Sequence, residues 1–361
     1  MIENLESGIV IMKEKKNNKQ SMWRTNTEGE PIRRHMLKEI VPMDTPLSMD
    51  VEASPLCTLR CNYCPHSLNL DEKKRLNIGQ GSVMSDDVFQ RIVEQCKMFP
   101  KPLKNIRFAG YGEPMLNPEL ANWIKLIKKE GIADTVTIFS NGIPLSKEKA
   151  EELAEAGVDT LLFDIQGLSD EDYKVNGNRK IDFNNLYDKI SYYYRIKKSG
   201  KVFIKTFKYI IQGREKEFFD LFDKCADEIV IENIYETCSE MDYEGMITNE
   251  KETCGVDFVN TSYCPWPWYQ LAINATGVVT ACPLPVSKTS DFLIVGNVNK
   301  ESLIDIWNGE KLNNVRYRLL KERETITECK NCKYTEMLPK EDLIDTEVDR
   351  LIQYCEGKKN E

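Results

Sequence analysis

No stretch of this 361-residue chain approaches the roughly 18 uninterrupted apolar residues that a membrane-spanning helix needs. The start, MIENLESGIVIMKEKK, places acidic residues before a short apolar patch and lysines after it, the reverse of a secretory signal. Both absences lead us to expect a cytoplasmic protein. An excess of positive charge is also missing: 49 Lys and Arg stand against 58 Asp and Glu, a net charge of −9. Phosphate neutralisation dominates affinity for nucleic acids, so this balance lowers the expectation of a DNA or RNA substrate, although a local basic groove would still be compatible with it. There is no internal repeat, no low-complexity tract and no glycine fingerprint of a dinucleotide fold.

What the chain has instead is cysteine, 12 residues of it. In a reducing compartment such a number implies metal ligands or catalysts rather than disulfides. The run Cys57-Thr-Leu-Arg-Cys61-Asn-Tyr-Cys64 packs three thiols into one loop. Three thiolates at this spacing can hold three irons of a [4Fe–4S] cube and leave the fourth iron open to a small molecule. A structural zinc site would want four protein ligands, and the nearest other candidates, His66 and Cys96, fit that geometry poorly. Cys264, Cys282, Cys329 and Cys332 form a second ligand-like group. Cys96, Cys225, Cys238, Cys254 and Cys355 stand alone and read mostly as small core residues.

The chain length exceeds a single core, and an apolar fraction of 41% is ample, so one large and one smaller domain are expected. Residues 1–46 read as a polar leader packed on the main domain, with a basic helical patch around 33–38. From 47 to 236, strands at Met49–Ala53, Asn105–Ala109, Thr135–Phe139, Thr160–Ile165, Val202–Ile211 and Glu228–Ile234 alternate with helical patterns at Asp86–Met98, Glu119–Glu130, Lys147–Ala156, Asn184–Lys198 and Glu215–Ala226. Such alternation predicts an α/β fold, a partial (β/α)6 TIM-like barrel with its chemistry at the C-terminal strand ends. A connector follows at 237–263. A small module at 264–338 contains a hairpin around Asn274-Ala-Thr-Gly277 and a helix at Ser302–Glu322. The tail, 339–361, is charged and helical around Asp345–Tyr354.

Over roughly 47–234 these residues resemble the radical S-adenosylmethionine (SAM) superfamily. Cys57, Cys61 and Cys64 match its C-x3-C-x2-C loop, with Tyr63 as the aromatic before the third cysteine. Gly110-Tyr-Gly112-Glu113-Pro114 resembles its GGEP turn, with Tyr111 as a departure; the resemblance gives Gly110, Gly112 and Glu113 the SAM amino group. It likewise implies SAM contacts for Ser140, Asn141, Asp164 and Gln166 at the ends of the third and fourth strands. The C-terminal module resembles the SPASM/twitch extension. Cys264 and Cys282 flank Gly277, Cys329 and Cys332 supply a second pair, and Leu338 stands where a further cysteine would be expected. Four thiols suit one fully ligated auxiliary [4Fe–4S] cluster, with a four-cysteine zinc site as the alternative. The truncated pattern is similar to the twitch domain of the 2-deoxy-scyllo-inosamine dehydrogenases.

The resemblance implies an enzyme that uses SAM and two [4Fe–4S] clusters, fed by a flavodoxin- or ferredoxin-type donor. It would cleave SAM to a 5′-deoxyadenosyl radical and abstract a substrate hydrogen. An auxiliary cluster without an open iron suits electron transfer, so oxidation of a carbinol on a sugar or aminocyclitol is the leading expectation. The alternatives are epimerisation, with Cys238 or next Cys254 as the thiol hydrogen donor, and peptide or protein modification of the sulfatase-maturase kind. Lys205 and Glu232 are polar positions in otherwise apolar strands, candidates to contact substrate or carry protons, or simply to form a salt bridge.

Overall fold

The computed structural model describes residues 36–247, 252–253 and 256–358. Six strands, β1 (Ser48–Val51), β2 (Leu103–Phe108), β3 (Ala133–Ser140), β4 (Thr160–Asp164), β5 (Lys201–Phe207) and β6 (Glu228–Glu232), lie side by side in chain order, every pair parallel. A doubly wound sheet would reverse its order at a switch point, whereas sequential parallel order is that of a barrel. The fold is the expected α/β partial barrel.

Alternation along each strand divides the two faces. Val51, Phe108, Ile138, Phe163 and Ile204 belong to the main core shared with the helices. Leu162, Phe203 and Val230 form a separate cluster with Phe139 on the inner face. Several helices open on side-chain caps that fix their first turn, Ser85 to Val88 N, Ser146 to Lys149 N and Asp182 to Asn185 N. Two helices, Leu70–Arg75 and Asp170–Asn176, went unpredicted because each is shorter than the periodicity needed to see it. The fifth predicted strand ran too far: Lys208–Ile211 is helical, a β-rich run overridden by its tertiary setting.

Beyond β6, the segment read as an irregular connector holds β7 (Glu252–Thr253) and β8 (Val256–Val259). The predicted hairpin is present as β9 (Gln270–Ile273) and β10 (Val278–Thr280), followed by β11 (Ile294–Asn297). It does not form a sheet of its own. β9 pairs in parallel with β1, Ser48 to Gln270 through Val51 to Ile273, giving one nine-stranded sheet. A short β12 (Leu338–Pro339) closes on β8.

The helix predicted over Ser302–Glu322 is two helices, Leu303–Asn308 and Glu310–Lys321, broken at Gly309, where a Cβ would meet Asp305 O at 2.5 Å. The described part of the leader packs on the C-terminal elements rather than on the barrel core: Leu37 and Val41 cluster with Trp268, Leu320 and Leu351. Its helix spans Leu37–Ile40; residues 33–35 of the basic patch lie outside the described residues. The last helix runs Val348–Lys358, a few residues later than expected.

Candidate active site

The loop after β1 carries the first cysteine group to the C-terminal mouth of the sheet. Arg60 N and Asn62 N donate to Gly177 O and Asn176 O at 2.8 and 2.9 Å, and Asn178 Nδ2 donates to Arg60 O at 2.9 Å. These bonds hold Cys57, Cys61 and Cys64 against the end of the helix Asp170–Asn176. All three are free thiols. Burial pushes the Cys64 thiol up to about 12, and burial together with the repulsion of Cys64 and Cys57 holds the Cys61 thiol well above its ordinary range. Metal binding must therefore displace protons here. Tyr63 sits edge-on to Phe207, ring centroids 4.9 Å apart, with Tyr209 close behind at 6.4 Å.

Glu113 lies beside this loop, 1% exposed. Its carboxylate accepts from Ser140 Oγ at 2.8 Å, Asn141 N at 2.8 Å and Met115 N at 3.0 Å. Burial still wins over these bonds and lifts its pKa to about 7. Asn141 reaches the cysteine loop, Nδ2 lying 3.1 Å from Thr58 Oγ1 and 3.6 Å from Cys57 Sγ. Glycine is required at 112, where a Cβ would sit 1.8 Å from Ser54 O, and Gly110 takes φ +121°. Tyr111, the departure from the family turn, has its place: its carbonyl meets His66 Nε2 at 2.9 Å and its ring packs on Leu76, Ile78 and Cys238.

Beside its apolar cluster the inner face carries charged side chains. Lys205 on β5 bridges Asp164 on β4 and Glu232 on β6 at 3.1 and 3.3 Å. Burial opposes its charge, but the two carboxylates outweigh burial and hold the ammonium above its ordinary range. Gln166, just past β4, is 2% exposed with Oε1 lacking a hydrogen-bond partner. The sequence reading missed the opposite wall. Asp50, Arg107 and Gln270 form one network, Arg107 Nε to Asp50 Oδ1 at 2.5 Å and Gln270 Nε2 to Asp50 Oδ2 at 2.9 Å. Glu52 pairs with Lys288. The signal was available in Ser48-Met-Asp-Val-Glu-Ala53, where polar and apolar residues alternate along one strand.

Cys238 is 6% exposed and donates to Glu240 Oε2 at 3.3 Å, within the small apolar cluster of Leu76 and Ile78. Cys254 lies outside the described residues. In the C-terminal part, Cys264 and Cys282 each lie within electrostatic reach of Cys329 and Cys332, and burial pushes Cys264 and Cys329 up to about 12. Trp266 stacks on Tyr334 beside them at 3.7 Å. Among the described residues no three His, Cys, Asp or Glu side chains gather as a single-ion metal site does.

This arrangement defines the class: a cysteine loop at the mouth of a parallel barrel, a buried acid beside it, and a second thiol group on the attached extension. Residues 51–217 match the Radical SAM superfamily, and residues 264–333 match the iron–sulfur cluster-binding SPASM domain. The chain is a radical SAM enzyme with a SPASM domain, and SAM and iron–sulfur clusters are its cofactors. The donor chemistry fits them: two all-sulfur thiol groups, a buried carboxylate, and an orphaned Gln166 oxygen at the same strand ends.

Among curated relatives, the S-adenosyl-L-methionine-dependent 2-deoxy-scyllo-inosamine dehydrogenase of Niallia circulans is 22% identical over 299 residues, covering 80% of this chain and 94% of that protein. The tungsten-containing aldehyde ferredoxin oxidoreductase cofactor-modifying protein of Pyrococcus furiosus is 35% identical over 118 residues. That match spans 33% of this chain and only 30% of the relative. Among solved structures, Streptococcus suis SuiB bound to precursor peptide SuiA superimposes with a TM-score of 0.58 at 16% identity, covering 84% of this chain and 73% of SuiB. That likeness is one of fold. No helix among the described residues is long and apolar enough to cross a membrane.

Proposed function

We propose that this chain oxidises a carbinol of a small polar molecule of the sugar or aminocyclitol kind, with an auxiliary cluster as electron acceptor. The observation that carries the reading is the inward-facing Asp164–Lys205–Glu232 group, its side chains 14–26% exposed, with Asp164 within electrostatic reach of Cys61. The long match to an inosamine dehydrogenase supports the same class. Cys57, Cys61 and Cys64 would hold the SAM-binding cluster, and Cys264, Cys282, Cys329 and Cys332 the auxiliary one. When bound, these groups would supply the power to take a hydrogen atom from substrate, and an acceptor for the electron left behind.

The chain's own residues do the rest. Glu113, oriented by Ser140 and the Asn141 N–H, receives the SAM ammonium, while Gly110 and Gly112 let its turn pack closely on Glu52 and Ser54. Tyr63, Asn141 and Gln166 line the remaining SAM contacts. Lys205 donates to substrate hydroxyls, and Glu232 or Asp164 takes the hydroxyl proton as the carbon is oxidised. The many thiols suit a reducing compartment and a flavodoxin- or ferredoxin-type donor.

The test is turnover with SAM, reductant and a panel of polyols and aminocyclitols in D2O. The expected result is one 5′-deoxyadenosine per ketone and no solvent deuterium on product carbon. Deuterium on an unoxidised, inverted carbon would replace this reading with epimerisation through a thiol such as Cys238. Turnover only on peptides would replace it with a maturase.

A further inference from the structure

The sheet joins the barrel to its extension, but a second and more specific connection runs through two charged side chains. Glu52 lies just past β1, its N–H donating to Ile273 O at 2.9 Å, on the seam between β1 and β9. Its carboxylate pairs with Lys288, at the end of a short helix, Pro285–Lys288, that follows Cys282. The two side chains are 7% and 9% exposed. Burying such a pair gives little net stability over an apolar pair of the same size, so the fold alone does not call for it.

What the pair touches on each side is informative. Residues 52–56 are laced to the turn that carries Glu113. Gly110 packs on the Glu52 side chain, so that an added Cβ would lie 3.3 Å from Glu52 Cβ. Gly112 packs on Ser54 O, and Glu113 N donates to Leu56 O at 2.7 Å. On the other side, Leu284 N reaches Cys282 Sγ at 3.5 Å, and Ser287 Oγ donates to Leu284 O at 2.7 Å, fixing the short helix to the thiol loop. An unbroken line of contacts therefore runs from Cys282 through Lys288 and Glu52 to Glu113, and on through Asn141 to Cys57.

We infer that Lys288 and Glu52 are positioning residues that couple the auxiliary thiol loop to the turn holding the SAM ammonium. Filling the auxiliary site orders the Cys282 loop, places Lys288, and through Glu52 sets the turn for SAM. This rests on the assignment of Glu113 and its turn to SAM. Coupling of this kind is reciprocal and is read as a ratio of affinities.

The test is SAM affinity by equilibrium dialysis on anaerobically reconstituted protein, with iron content measured alongside. We expect the double variant Cys329→Ala/Cys332→Ala, which empties the auxiliary site, to bind SAM about fivefold or more weakly than the parent. Lys288→Met, and separately Lys288→Gln, should weaken SAM similarly with iron retained, and emptying the auxiliary site in either background should then change little. The charge swap Glu52→Lys/Lys288→Glu should restore the dependence, which a merely structural loss would not do. Equal SAM affinity with and without the auxiliary site filled would overturn the inference, as would a Lys288→Met protein that keeps the full dependence. If no form bound SAM although the first site held its iron, the assignment of the turn itself would fall.

Discussion

Glu113 should make SAM binding depend on pH near neutrality. Burial lifts its pKa from the ordinary 4.5 to about 7, even though three donors favour the carboxylate. Between those two values the folded chain holds a proton that the unfolded chain has lost. The cofactor-free protein therefore loses stability as pH rises through that window, by roughly 3 kcal/mol in all at about 1.4 kcal/mol per unit. An arriving ammonium must find the carboxylate ionised, which is so for about nine-tenths of molecules at pH 8 and about a tenth at pH 6 if the pKa is near 7. The apparent Kd for SAM should then rise about tenfold from pH 8 to pH 6. Equilibrium dialysis across this range on the parent and on Glu113→Gln isolates the share due to this group. The variant should bind SAM more weakly and lack that part of the slope. A level Kd in the parent, or a slope identical in Glu113→Gln, would refute the reasoning.

Lys205→Met leaves Asp164 and Glu232 facing each other; because the site is partly open, we expect a loss of about 2 kcal/mol in denaturant unfolding, less than for a fully buried pair, together with lost turnover. Lys205→Arg should recover much of the stability. Gly112→Ala drives a Cβ into Ser54 O and must displace the turn, so SAM binding should fall sharply while the first cluster still assembles, as iron analysis and dialysis would show. Cys329→Ala/Cys332→Ala should lower the iron content from about eight per chain to about four. No change would mean that these thiols hold no cluster.

Where the pattern was dense, the sequence could be read closely. Strand–helix alternation foretold six parallel strands because each is short, β-rich and bounded by a helical period, and the helix Lys147–Ala156 was placed to the residue. The thiol loop stood out by its spacing and the Gly110–Glu113 turn through the family resemblance, and Asn141 touches both; their roles toward a cluster and SAM are proposed. The union of β9 with β1 was not legible: the pairing is parallel, more than 200 residues apart, and leaves no local mark on Gln270–Ile273. The alternation along Ser48–Ala53 marked Asp50 and Glu52 as facing one side, but their partners Arg107, Gln270 and Lys288 escaped, since each lies far away in sequence and meets them only in the fold. Lys205 and Glu232 were noticed as polar breaks, but Asp164 as the second partner of Lys205 required the register Asp164 to Lys205 to be known.

The most direct measurement is electron paramagnetic resonance of the reduced, anaerobically reconstituted protein, recorded before and after SAM is added. The account predicts that one of two iron–sulfur signals shifts with SAM, and that the shift disappears when Cys57, Cys61 and Cys64 are replaced by alanine. A spectrum indifferent to SAM, or zinc rather than iron in the first thiol loop, would contradict it.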